Sequence, residues 1–126
     1  MAWVDGVAVL ALFQFFVFGA LVGRARGKYG VQAPATTGHA LFERIYRVQM
    51  NTLELLVLFL PSLWLAAKYA SPAWVAGIGS IYLLGRVVYL LAYTRDPASR
   101  TLGYALSSGP VVVLMLMALV GVVRAL

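Results

Sequence analysis

The sequence predicts an all-α integral membrane protein built as a four-transmembrane-helix bundle, and three observations lead there. Of its 126 residues, 63% are hydrophobic and only 11% charged, against roughly 45–50% apolar and about 25% charged in an average soluble domain. The apolar residues fall into long runs, each near the length of about 20 residues that a bilayer-crossing helix needs. The Lys and Arg residues gather beside the ends of those runs, where membrane proteins place them. The chain therefore makes one domain, 1–126, with helices expected at about 2–23, 42–69, 73–93 and 102–124 on the length rule for spans.

The first run is interrupted only by Asp5, Gly6, Gln14 and Gly19, and it gives way to Gly23-Arg24-Ala25-Arg26-Gly27-Lys28. Because basic residues follow the apolar core and do not precede it, this run is expected to stay in the mature protein. A stretch with two glycines, Pro34 and Thr36-Thr37 reads as loop. The second run then extends from Phe42 to Ala70-Ser71-Pro72. The third ends at Thr94-Arg95-Asp96-Pro97, where proline lacks the amide hydrogen a helix needs. The fourth contains Gly109-Pro110, tolerable in a membrane helix whose neighbours satisfy the freed backbone groups.

Four spans put both termini on one side. Arg24, Arg26, Lys28, Arg44 and Arg47 surround the first loop, Arg95 and Arg100 the third, and only Lys68 and Arg124 lie at the other end. The positive-inside rule makes the first- and third-loop face cytoplasmic. The net charge of +6 is thus read as membrane-flanking, with no nucleic-acid partner. The short loops and compactness point to a bacterial inner membrane. With no cysteine and one histidine, the chain has no disulfide, no thiolate nucleophile and no multi-histidine metal centre of its own. His39 reads as a structural loop residue, and the serines read as helix-packing residues.

Ionisable groups inside spans cost about 2.5–3.5 kcal/mol on insertion scales, so they normally face a bundle interior and have a task. On a helix, Arg44, Arg47, Asn51 and Glu54 fall within an arc of roughly 80°, and Tyr82, Arg86, Tyr89 and Tyr93 within roughly 60°. One reading pairs Glu54 with Arg86 as a neutralised couple and assigns the tyrosines to an interfacial belt. The grouping favours another. Its guanidinium groups, amide and phenols exceed what its own carboxylates can use, which suits a ligand with several carboxylates and one ammonium, the latter held by Glu54. Three protomers packed together would bury these stripes around shared sites, so a homotrimer is expected.

The segment 38–54 carries Gly38, then Phe42-Glu43-Arg44-Ile45-Tyr46, then Arg47, Gln49, Asn51 and Glu54. It resembles the MAPEG family, the membrane-associated proteins in eicosanoid and glutathione metabolism. The likeness is greatest to the branch of microsomal glutathione transferase type 2, cysteinyl leukotriene synthase and the five-lipoxygenase-activating protein. A second block, Tyr82 to Arg95, resembles the family's third helix, and Arg100 follows at the family spacing. The resemblance implies a four-helix protomer in a homotrimer, with glutathione as co-substrate bound between protomers near the cytoplasmic face. It implies that Arg47, Asn51, Glu54, Tyr89 and Tyr93 contact glutathione, that Arg26 and Gln49 lie near its glycine carboxylate, and that Arg100 stabilises the thiolate. Departures from the family pattern are Leu55 in place of tyrosine, Gly27 in place of a basic residue, and Val57 where a proline is expected.

The function so implied is a membrane-embedded glutathione transferase acting on hydrophobic electrophiles from the bilayer, with glutathione-dependent peroxidase activity a second chemistry open to the same thiolate. A non-catalytic lipid-binding member of the family is the alternative, and retention of Arg47 and Arg100 argues against it. A small multidrug exporter with one essential acid is a third, but such proteins usually carry the acid in the first span, whereas Glu54 is in the second.

Overall fold

A computed structural model describes residues 1–126 and consists of four long helices: α1 (Ala2–Tyr29), α2 (Ala40–Tyr69), α3 (Pro72–Arg95) and α4 (Thr101–Ala125), with a short 3-10 turn at Pro97–Ser99 between the last two. All four are long and apolar enough to cross a membrane. α1 and α4 each pack against both members of the central pair α2 and α3. The main core runs through Val4, Val7, Ala11, Leu56, Phe59, Leu63, Val75 and Leu114. Large apolar side chains such as Trp3, Phe13, Phe16, Val57, Trp74 and Leu84 stand exposed on the outside, an arrangement stable only against lipid or another apolar surface.

The first helix is longer than the expected 2–23. It continues to Tyr29, and the helix stops where Gly30 takes a left-handed conformation at φ 69°, with its own N–H and that of Val31 returning to the Arg26 carbonyl. Glycine inside a helix costs only about 1 kcal/mol relative to alanine, so Gly23 and Gly27 do not end it. Cations in a last turn also complement the helix dipole, which favours Arg26 and Lys28 there. Of the glycines spaced by four, only Gly19 has a close neighbour, the Gln49 side chain; a Cβ at Gly23 or Gly27 would meet nothing within 4 Å.

α2 begins two residues earlier than expected because His39 caps it, its Nδ1 accepting from the Leu41 N–H at 3.2 Å, while Glu43 Oε2 accepts from the Gly38 N–H at 3.3 Å. The His39 ring stacks on Tyr29 with centroids 4.2 Å apart, tying the end of α1 to the start of α2. Pro72 opens α3, at a position where a missing N–H costs nothing.

α3 and α4 approach each other backbone to backbone. A Cβ on Gly85 would lie 2.6 Å from the Leu106 carbonyl carbon, and one on Gly103 would lie 2.5 Å from the Tyr89 Cα. Only glycine permits so close a seam. The turn between the helices is fastened by Asp96 Oδ1 accepting from Ala98 N–H, and by Ser99 Oγ donating to the carbonyls of Ala92 and Asp96. Arg44 reaches from α2 to donate to the Thr94 and Arg95 carbonyls at the end of α3.

Candidate functional site

At the end of the bundle that carries the α1–α2 loop and the α3–α4 turn, a cleft of about 630 Å³ opens between α2, α3 and α4. α2 contributes Arg47, Asn51 and Glu54 at steps of four and three residues, so all three face the same way. α3 contributes Tyr89 and Tyr93, one turn apart with rings stacked 5.3 Å between centroids. α4 contributes Arg100, Thr101, Tyr104, Ala105 and Ser108. The close seam at Gly85 and Gly103 is what sets the α3 phenols beside the α4 face, and the Tyr104 ring lies 6.4 Å from that of Tyr89.

Six of the residues singled out by sequence, Arg47, Asn51, Glu54, Tyr89, Tyr93 and Arg100, therefore come together. Arg26 and Gln49 do not. Arg26 donates to the Ala35 carbonyl and lies over the Phe42 ring at 4.9 Å, and Gln49 packs against Gly19 of α1, both outside the cleft. Tyr104 and Ser108 line the cleft without having been singled out by sequence. With Arg100 they form an i, i+4, i+8 row, a pattern present in the sequence and readable once the start of α4 is known.

Glu54 does not pair with Arg86. It accepts from Arg47 Nη1 at 3.4 Å, with both side chains more than half exposed at the cleft wall. Arg86 is completely buried and bonds neutral oxygens of Asn51, Thr52 and Ser107. Tyr82, expected on the same stripe as Tyr89, is sealed in the core with its ring 3.9 Å from that of Phe59. Leu55 also points into the main core, so its departure from the family's tyrosine places no group in the cleft.

The cleft charges are uneven. Two guanidinium groups, Arg47 and Arg100, face one carboxylate, Glu54, among phenol and hydroxyl donors. Arg100 also stands at the N-terminus of α4, where unpaired backbone N–H groups and the helix dipole favour negative charge. The arrangement can take up an anion at the α4 end and a carboxylate and an ammonium along α2. Such zwitterion recognition needs both signs of charge on one face.

Comparison with known proteins gives this constellation a context. The MAPEG family model matches residues 5–120. The chain belongs to the MAPEG family. It is 44% identical over 122 residues to an uncharacterised protein of Synechocystis, covering 97% of this chain and 89% of that one. It is 35% identical over 116 residues to human microsomal glutathione S-transferase 2, covering 92% of this chain and 79% of the human protein. Guinea pig leukotriene C4 synthase is 40% identical over 103 residues, which cover 76% of this chain and 68% of the synthase. Membership of MAPEG and four apolar helices together make the chain an integral, multi-pass membrane protein.

Proposed function

We propose that this MAPEG protein is a membrane-embedded glutathione transferase that joins the glutathione thiolate to hydrophobic electrophiles arriving from the bilayer. The observation that carries the reading is the meeting of Arg47 and Glu54 with Arg100 across one cleft. Glutathione has two carboxylates, one ammonium and a thiol; the cleft offers Arg47 for one carboxylate, Glu54 for the ammonium and Arg100 for the thiolate, which leaves the second carboxylate to groups outside it. Two relatives that the chain matches over most of its length are named for glutathione transfer and for leukotriene C4 synthesis.

In this reading Arg47 and Glu54 hold each other poised until the ligand separates them, Arg47 taking a carboxylate and Glu54 the ammonium. Little is lost in that exchange, because exposed ion pairs contribute only about 0–1 kcal/mol. Tyr89, Tyr93 and Tyr104 donate along the peptide. Arg100, helped by the first-turn amides of α4, stabilises the sulfur as thiolate, which is the nucleophilic form. The thiolate attacks the electrophilic carbon, a carbon–sulfur bond forms, and the leaving group or the opened ring oxygen takes the electron pair.

The protein acts as a homotrimer. Arg26 and Gln49 lie outside the cleft of their own protomer, so they reach the ligand only if a neighbouring protomer presents them. The loops around the cleft face the cytoplasm and the termini the opposite side of a bacterial inner membrane, by the excess of cations at the loop end. Calorimetry with glutathione on the purified protein in detergent, followed by conjugation of a generic aryl halide, tests the function. Binding and turnover in the wild type, with binding weakened by about 1–3 kcal/mol in Arg47→Ala and in Glu54→Ala, is the expected result; unchanged affinity in both variants would place the site elsewhere.

A further inference from the structure

Arg86 does not line the cleft, yet it is the one arginine wholly withdrawn from the surface. Its Nη1 donates to Asn51 Oδ1 at 2.7 Å and to Thr52 Oγ1 at 3.1 Å, and its Nε donates to Ser107 Oγ at 2.9 Å. Its Cζ lies 4.5 Å from the centre of the Tyr89 ring. No carboxylate bonds it, and its Nη2 has no partner.

A guanidinium carries donors and no acceptor. The 2.7 Å bond can therefore be received only by the amide oxygen of Asn51, and chemistry alone decides which end of that amide faces which way. Asn51 also lines the cleft, and its Nδ2 is not among the sealed, unpartnered atoms of the chain. The donor end is what remains for a ligand.

We propose that Arg86 is a positioning residue that holds Asn51 with its N–H donors toward the cleft and backs the Tyr89 ring, so that this point of the site reads a carbonyl or carboxylate oxygen of the ligand. The role rests on the glutathione reading of the cleft. An arginine serving only as a staple from α3 to α2 and α4 would change stability and nothing else. Here its shortest bond goes to the one hydrogen-bond partner that also lines the cleft.

The experiment measures glutathione affinity by calorimetry, steady-state kinetics and melting for the wild type and five variants: Arg86→Met, Arg86→Lys, Asn51→Ala, Asn51→Asp and the double variant Arg86→Met/Asn51→Ala. Freeing the Asn51 amide should raise Kd and KM about tenfold, the size of one ligand hydrogen bond, with kcat changed by less than about twofold. Arg86→Lys, which still donates, should recover most of the loss. The double variant should bind no worse than Asn51→Ala, because Arg86 acts through that amide. Asn51→Asp keeps Arg86 partnered and the fold stable but offers only acceptors, so it should melt near the wild type while losing affinity.

Arg86→Met with a lowered melting temperature and unaltered affinity would overturn the proposal, as would full additivity in the double variant. Should Arg86→Met fail to fold, Asn51→Asp decides: wild-type melting with wild-type affinity overturns the donor role. A wild type that binds no glutathione overturns the cleft reading and this role with it, whereas a binding wild type with an unshifted Arg86→Met overturns the role of Arg86 alone.

Discussion

Replacing Gly103 by alanine should disable the site without replacing any residue that lines it. A Cβ there would sit 2.5 Å from both the Cα and the N of Tyr89. Unstrained carbon contacts are about 3.5–4.0 Å, so α4 must withdraw from α3 by about 1 Å. The obstacle is backbone, and no side chain can swing aside to absorb it. Overpacking of this kind costs about 1–3 kcal/mol, of which the better helix propensity of alanine returns no more than about 1 kcal/mol. The larger effect is on geometry, because Tyr89 and Tyr93 are on one side of the seam and Arg100, Tyr104 and Ser108 on the other. A misplacement of about 1 Å between groups that hold one reactant can lower turnover by about 100-fold. The assay pairs aryl halide conjugation with thermal melting in detergent, using Gly23→Ala as the control, since a Cβ at Gly23 meets nothing within 4 Å. Gly103→Ala is expected to melt a few degrees lower and to lose most of its turnover, while Gly23→Ala behaves as wild type or slightly better. If Gly103→Ala retained wild-type turnover and melting, the close seam would not be what assembles the cleft.

The remaining predictions concern charge, assembly and the core. In Arg100→Ser the bound thiol loses the cation that favours its ionised form, so the thiolate absorbance and the conjugation rate should both rise at higher pH than in the wild type and converge with it well above the thiol's ionisation; identical titrations would leave Arg100 only the anchoring at lipid headgroups that is common for basic residues beside membrane spans. Native mass spectrometry in mild detergent should give trimers, and a monomer that still conjugates glutathione would refute sites shared between protomers. Leu55→Tyr, which restores the family's residue, should lower stability by about 1–3 kcal/mol without improving glutathione affinity, because Leu55 points into the packed core; a tighter-binding, equally stable variant would show that the position faces the ligand.

Membrane residence, helix number and the polar face of α2 were legible from the amino-acid order alone. Each depends on local rules: the length of apolar runs, the residues that break them, and a helical period that places Arg47, Asn51 and Glu54 on one side whatever surrounds them. The end of α1 was less legible, since the glycines at 23 and 27 resemble loop while the residue that stops the helix is Gly30, recognisable only by its left-handed backbone. Which residues share the cleft was decided by packing. Gly85 and Gly103 let α3 and α4 touch backbone to backbone, and that contact brings Tyr104 and Ser108 to the tyrosines while Arg26 and Gln49 stay outside. The partner of Arg86 was likewise beyond one-dimensional reading: charge alone nominates Glu54, but Glu54 lies on the exposed wall with Arg47, and the buried guanidinium takes the oxygens that α2 and α4 bring within reach. Period sets what a helix shows on each face, whereas the depth to which two helices approach is set by the side chains missing between them.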